Sequence, residues 1–215
     1  MPEELGKIER LPVDTFKKGR RLYFVPLIYS SPRASSEFIV IYSRYWNQVE
    51  SQVSELELKL GKVSRVYHEL IPFGGEDGAK AIEELSERSY KIIKDRIAKG
   101  ASLEATEEAE ILSEFMDWSK CLMVGLQNQK VFTKLYEFYT VASNKRNEYI
   151  AKHLADSLGA EEIGLLFMRE GHQIQFPADI EIFYVAPPAL DEIKRWLRDQ
   201  ESKAPTEGSK AEEGR

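Results

Sequence analysis

The run Ile163-Gly164-Leu165-Leu166-Phe167-Met168 contains no polar side chain. A strand with one wet face alternates apolar and polar residues, whereas one that is apolar throughout is covered on both sides, as in a parallel sheet flanked by helices. Parallel neighbours cannot be joined by tight hairpins, so the rest of the chain must supply crossovers. Further runs rich in β-branched and aromatic residues occur at 22–29, 63–67 and 180–185. Between them lie amphipathic stretches. In 37–60, Phe38, Tyr42, Tyr45, Trp46, Val49, Val53, Leu56 and Leu60 recur at spacings of three and four, which places them on one helical face. Helices are also predicted over 79–86, 89–99, from Thr106 onward, over 130–158 and over 190–197. The order predicts an α/β fold: a small, mostly parallel sheet of about four strands flanked by helices, with a helical insertion at about 79–128.

Local signals refine this plan. Pro26 lacks a ladder donor, so the first strand is expected to lie at an edge or to break there. Gly61 sits where a left-handed helix cap belongs. The run Gly74-Gly75-Glu76-Asp77-Gly78 reads as a turn with an aspartate cap, because it lacks the lysine-serine or lysine-threonine pair of a phosphate loop. Thr106, with the acids Glu107 and Glu108, reads as a helix start. Trp46, Trp118 and Trp196 fall on apolar helical faces and are expected in the core. Residues 1–19 read as a loose arm, 20–200 as a single domain and 201–215 as a disordered tail.

Composition narrows the function classes. A hydrophobic fraction of 42% supports a sizeable core, and the net charge of -6 disfavours non-specific nucleic-acid binding. The only compact basic run, Lys17, Lys18, Arg20 and Arg21, reads as a solvated loop. No apolar run approaches the ~20 residues that span a bilayer, and the N-terminus lacks a signal pattern. The single cysteine, Cys121, fits a reducing compartment and reads as a small buried hydrophobe. The expectation is a soluble, cytoplasmic protein, with no nucleic-acid or membrane partner.

Chemistry is sought at the strand ends, since ligands of open α/β sheets collect beyond the carboxyl ends of the strands. His68 and Glu69 follow the second strand, and Arg169, Glu170 and His172 follow the third. Glu76 lies just beyond the second strand. The expected catalytic set is His68, Glu69, Arg146 and His172, with Arg169, Glu170 and Glu76 binding a ligand. If the two strands are neighbours, His68, Glu69 and His172 could ligate a divalent metal or carry acid-base chemistry near neutral pH. No His-Glu-x-x-His pattern, cysteine set with zinc spacing, or serine nucleophile elbow is present.

Three segments carry a family resemblance. Val66-Tyr67-His68-Glu69-Leu70 resembles the glutamate-ended strand of the TraB/ChaN/Tiki-like superfamily. Arg146-Asn147-Glu148-Tyr149-Ile150-Ala151 is similar to that group's arginine-initiated helix, and 164–172 to its later strand ending in glycine-histidine. The resemblance implies an α/β fold and a site of Glu69, Arg146 and His172, with metal-dependent hydrolysis or haem handling as activities. The family's glycine-to-histidine motif after the first strand is replaced here by Tyr29-Ser30-Ser31-Pro32. Two functional readings follow. The first is a cleft for a small-molecule ligand or metal, with hydrolysis as the reaction class. The second is a non-catalytic binding or regulatory module that uses its helical insertion as an interaction surface. The partners expected are a small molecule or a protein, with a homo-oligomer as a separate expectation.

Overall fold

The computed structural model describes residues 18–203. Along the chain run β1 (Arg20–Pro26), α1 (Ser36–Leu60), β2 (Arg65–His68), α2 (Gly75–Leu85), α3 (Glu87–Ala98), β3 (Ser102–Leu103), α4 (Ala109–Leu122), α5 (Gln129–Ser157), β4 (Ile163–Met168), β5 (Ile180–Tyr184) and α6 (Pro188–Lys203). The five strands form one sheet in the order β3-β2-β4-β1-β5, and each neighbouring pair is parallel. The α/β class and the parallel sheet are as expected, with five strands instead of four.

The all-apolar run is the middle strand. Every residue of β4 is buried, between β2 on one side and β1 on the other. Gly164 is the one gap in its side chains. A Cβ there would lie 2.7 Å from Leu22 and 3.2 Å from Tyr67, so the neighbouring strands fill the space. Strand side chains alternate between faces, and two cores result. Tyr23, Val25, Val66, Leu165 and Phe167 face Tyr45, Trp46, Val49, Val53, Ile82, Ile92, Ile93 and Ile193, which come from α1, α2, α3 and α6. Leu22, Phe24, Tyr67, Leu166 and Met168 face Ile150, Leu154 and Leu158, from the end of α5 and the residue after it. One face is therefore thickly covered and the other is covered largely by a single helix.

Several local expectations are corrected. Pro26 does not make β1 an edge strand. It is the last residue of an interior strand, and the Leu27 N–H resumes pairing with the Met168 carbonyl at 2.9 Å. Gly61 does end α1, but with φ 124° and ψ 162° instead of a left-handed cap. The glycine run is no turn: α2 starts at Gly75, with Gly74 as its side-chain-free cap and Asp77 in its first turn. Arg20 and Arg21 are not a solvated loop. Arg20 pairs with Asp179, and Arg21 is buried with Nη1 on the Leu60 carbonyl at 2.5 Å. Cys121 is exposed, not buried. Of the segment 79–128, α2 and α3 form the crossover from β2 to β3, while α4 pairs with α5 in a helical hairpin. Lys17, most of the expected N-terminal arm and most of the C-terminal tail lie outside the described residues, although α6 extends to Lys203. Among the described residues, no helix is long and apolar enough to cross a membrane.

Candidate functional site

Parallel strands end at a common edge. Here β1 leads to Tyr29, β2 to Glu69, β3 to Thr106 and Glu107, and β4 to Arg169. The arginine of α5, Arg146, comes down over that edge, and a charge cluster forms. Arg146 donates from Nε to Glu107 Oε2 at 2.8 Å and from Nη2 to Glu107 Oε1. The same Nη2 lies 4.0 Å from Glu69 Oε2, and Arg169 Nε donates to Glu69 Oε1 at 2.7 Å. Glu69 and Glu107 are 2% exposed and Arg146 6%. Such a set is tolerable only because each charge meets its opposite; removing one member strands the others in a dry site. The Arg146 guanidinium also stacks over the Phe115 ring at 4.7 Å.

Thr106 and Glu107 finish the sheet where β3 is too short to do so. The Thr106 hydroxyl accepts the His68 N–H at 2.8 Å, and Glu107 Oε1 accepts the Leu70 N–H at 2.9 Å. Leu70 has φ 66°, a left-handed conformation uncommon for a non-glycine residue. That turn swings the chain away directly after Glu69 and is held by the same carboxylate that pairs with Arg146. The expectation that Thr106 and Glu107 open a helix is thus corrected: α4 begins at Ala109 with Glu108 as its cap.

Tyr29 adds the feature most suggestive of a ligand. Its hydroxyl is buried and has no hydrogen-bond partner among the described residues. Burial raises its pKa, Glu69 raises it further, and Arg169 and Arg146 oppose the rise, which places it among these charges. An unpaired buried hydroxyl costs roughly 1–3 kcal/mol, a cost that a water or a bound group would relieve. The side chain of Arg169 is 49% exposed and forms the solvent side of the cluster. Burial raises the pKa of Glu69 against the pull of both arginines, Arg169 first. His172 packs its ring on Phe24 and Phe176 at centroid distances of 5.1 and 5.4 Å. Burial and the charge of Arg146 lower its pKa, and Nδ1 accepts the Ile174 N–H at 3.3 Å.

The structure brings Glu69, Arg146 and Arg169 together, with His172 on the same face of the sheet. It does not bring in His68. Strands β2 and β4 are neighbours, as the metal reading required, but the His68 ring lies on the other face, stacked on Phe167 at 5.9 Å and fully buried. Its Nδ1 donates to the Glu69 carbonyl at 2.7 Å, and Nε2 lies 3.1 Å from the Ser89 hydroxyl. Burial lowers its pKa to about 4. The ligand set His68, Glu69 and His172 therefore does not assemble, and among the described residues no group of three or more His, Cys, Asp or Glu side chains is placed to hold a metal ion. Glu170 points elsewhere, to the Tyr184 hydroxyl and to Lys194 at 2.8 Å. Glu76 is exposed in the first turn of α2. Sequence reasoning missed Tyr29 and Glu107. The signal for Glu107 was its position shortly after a strand end, hidden because β3 is only two residues long.

No family model, curated protein or solved structure matches this chain.

Proposed function

We propose that this protein binds a small molecule bearing a carboxylate or phosphate at the carboxyl edge of its sheet. Arg169 and Tyr29 would receive the anionic group, and Arg146 and His172 would shape the floor. The observation that carries this reading is the buried Tyr29 hydroxyl, unpartnered among the described residues and within the electrostatic reach of Arg169 and Arg146, with Arg169 half open to solvent. Guanidinium groups match planar oxyanions through paired N–H donors. Glu69 is the acid-base group of such a site, since burial favours its protonated form. Hydrolysis is the reaction class that an acid-base carboxyl beside an anion clamp suits. The grouping of Glu69, Arg146 and His172 at one end of the sheet also accords with the site that the TraB/ChaN/Tiki-like resemblance implies.

Calorimetric titration with inorganic phosphate and with succinate tests the binding. The expected result is saturable binding that Arg169→Ala weakens about tenfold or more. The melting temperature also falls, because Arg169 is the cation paired with buried Glu69 at 2.7 Å, and unchanged circular dichroism checks that the fold is kept. Absence of binding by both probes at about 10 mM, a free energy near -2.7 kcal/mol, would sink the anion reading. The chemistry is tested separately with p-nitrophenyl phosphate and p-nitrophenyl acetate, where Glu69→Gln should abolish any turnover.

A further inference from the structure

Helix α5 is built in two halves. Its buried residues are Ala142, Arg146, Asn147, Ile150 and Leu154, all from Ala142 onward. From Gln129 to Val141 no residue is buried, and in α4 nothing beyond Phe115 is buried either. Yet this hairpin is rich in large apolar side chains. Met123, Val124, Leu126, Val131, Phe132, Tyr136, Phe138 and Val141 are all exposed, between 36% and 78%. Across the hairpin, Trp118 stacks on Phe138 at 5.0 Å and Phe115 on Tyr139 at 5.6 Å. Those contacts use one side of each helix. Phe132 and Tyr136 lie outside them, and at helical spacing they continue the stripe that reaches the sheet further along at Asn147, Ile150 and Leu154. The sheet-facing stripe thus overruns the sheet.

We infer that the α4–α5 hairpin is a dimerisation surface that takes the same hairpin of a second copy. Two observations select this occupant. The first is area. Phe132 and Tyr136 on one side of α5, with Met123, Val124 and Leu126 at the turn, are five partly or largely exposed apolar side chains. At roughly 100 Å² each they amount to on the order of 500 Å² per copy, the size of a small, concentration-dependent interface. The second is charge. Between residues 116 and 141 the charged residues are Asp117, Lys120, Lys130, Lys134 and Glu137. Lys120 pairs with Asp117 and Lys134 with Glu137. The hairpin is close to neutral on a chain of net charge -6, so it is where two acidic copies can approach. A surface for anionic lipid needs a cluster of unpaired cations. Two antiparallel hairpins packed side by side form a four-helix bundle, the arrangement in which such stripes are buried. This inference is independent of the anion site.

Sedimentation of the full chain from micromolar to hundreds of micromolar tests it. The wild type should pass from monomer to dimer over that range. The double variant Phe132→Lys, Tyr136→Lys should weaken the dimer about 100-fold or more while keeping its circular dichroism and melting temperature, because both positions are exposed. Cys121 is the single cysteine and is exposed in α4, so a spin label there reads the dimer of the unmutated protein. A defined inter-label distance at high concentration, lost on dilution, is expected. A wild type that stays monomeric throughout overturns the inference, as does a dimer indifferent to the double variant. So does a monomer that floats with phosphatidylcholine–phosphatidylglycerol vesicles, which would make the hairpin a lipid contact.

Discussion

The two faces of the sheet differ in what they can do. One is covered by α1, α2, α3 and α6 and closes over a continuous apolar core. The other carries the end of α5, the 172–176 segment and the charge cluster, and it leaves Ile182 and Tyr184 36% and 48% exposed. Each face holds one of the two strand-end histidines, and their surroundings show what the difference means. His68, on the thick face, is dry, hydrogen-bonded at both nitrogens and held neutral by burial. His172, on the thin face, is only partly buried and lies close enough to Arg146 to feel its charge. His68 is sealed into the fold, whereas His172 keeps part of its surface open to solvent.

This contrast can be broken most directly in the thick core. Phe167 is fully buried between His68 and Trp46, and Phe167→Ala should cost about 4 kcal/mol in urea unfolding. A loss below about 1.5 kcal/mol would mean that this face is not the stabilising one. On the thin face, Arg146→Met leaves Glu107 and Glu69 without their shared cation and should cost about 3 kcal/mol. If Arg146→Met proves neutral, the carboxylates are protonated or hydrated and the cluster is not dry.

Acid should separate the two histidines. The His68 pKa lies near 4 in the folded protein, below the ordinary value of 6.5. Between those limits the unfolded chain binds a proton that the folded chain refuses. The stability His68 contributes is therefore complete above about pH 6.5 and is lost as pH falls toward 4, by about 3 kcal/mol over the window. The raised pKa of Glu69 acts in the opposite sense, so the measurement is a difference. The wild type should lose more stability on acidification than His68→Asn, and parallel curves would place His68 in contact with water. The smallest effect is expected at the thin face's edge, where Tyr184→Ala should change stability by less than about 1 kcal/mol in thermal melts, its ring being half exposed.

Much of the fold was legible because burial on both faces writes itself into a strand. The apolar run of β4 and the helical spacing of α1 survive without alteration. The shortest strand, Ser102–Leu103, carries no period at all, so neither β3 nor the polar residues that extend it were visible. The candidate site turned on one residue of strand length. With the second strand read as ending at Tyr67, His68 and Glu69 looked like a pair beyond it. The strand includes His68, and the period of two then sends His68 to one face and Glu69 to the other. Tyr29 left no trace in the sequence, since its significance is an unmet hydroxyl among charges that come from distant segments.

Helix α5 couples the two ends of this molecule by phase. Phe132 and Tyr136 occupy its free half and Arg146 its seated half, on one unbroken helix. A single residue inserted between Val141 and Arg146 would turn the tip by about 100° and advance it about 1.5 Å relative to the arginine. The chain can therefore change the identity of side chains along this segment far more readily than their number, because its length is an angular setting shared by the exposed aromatic stripe and the charge cluster.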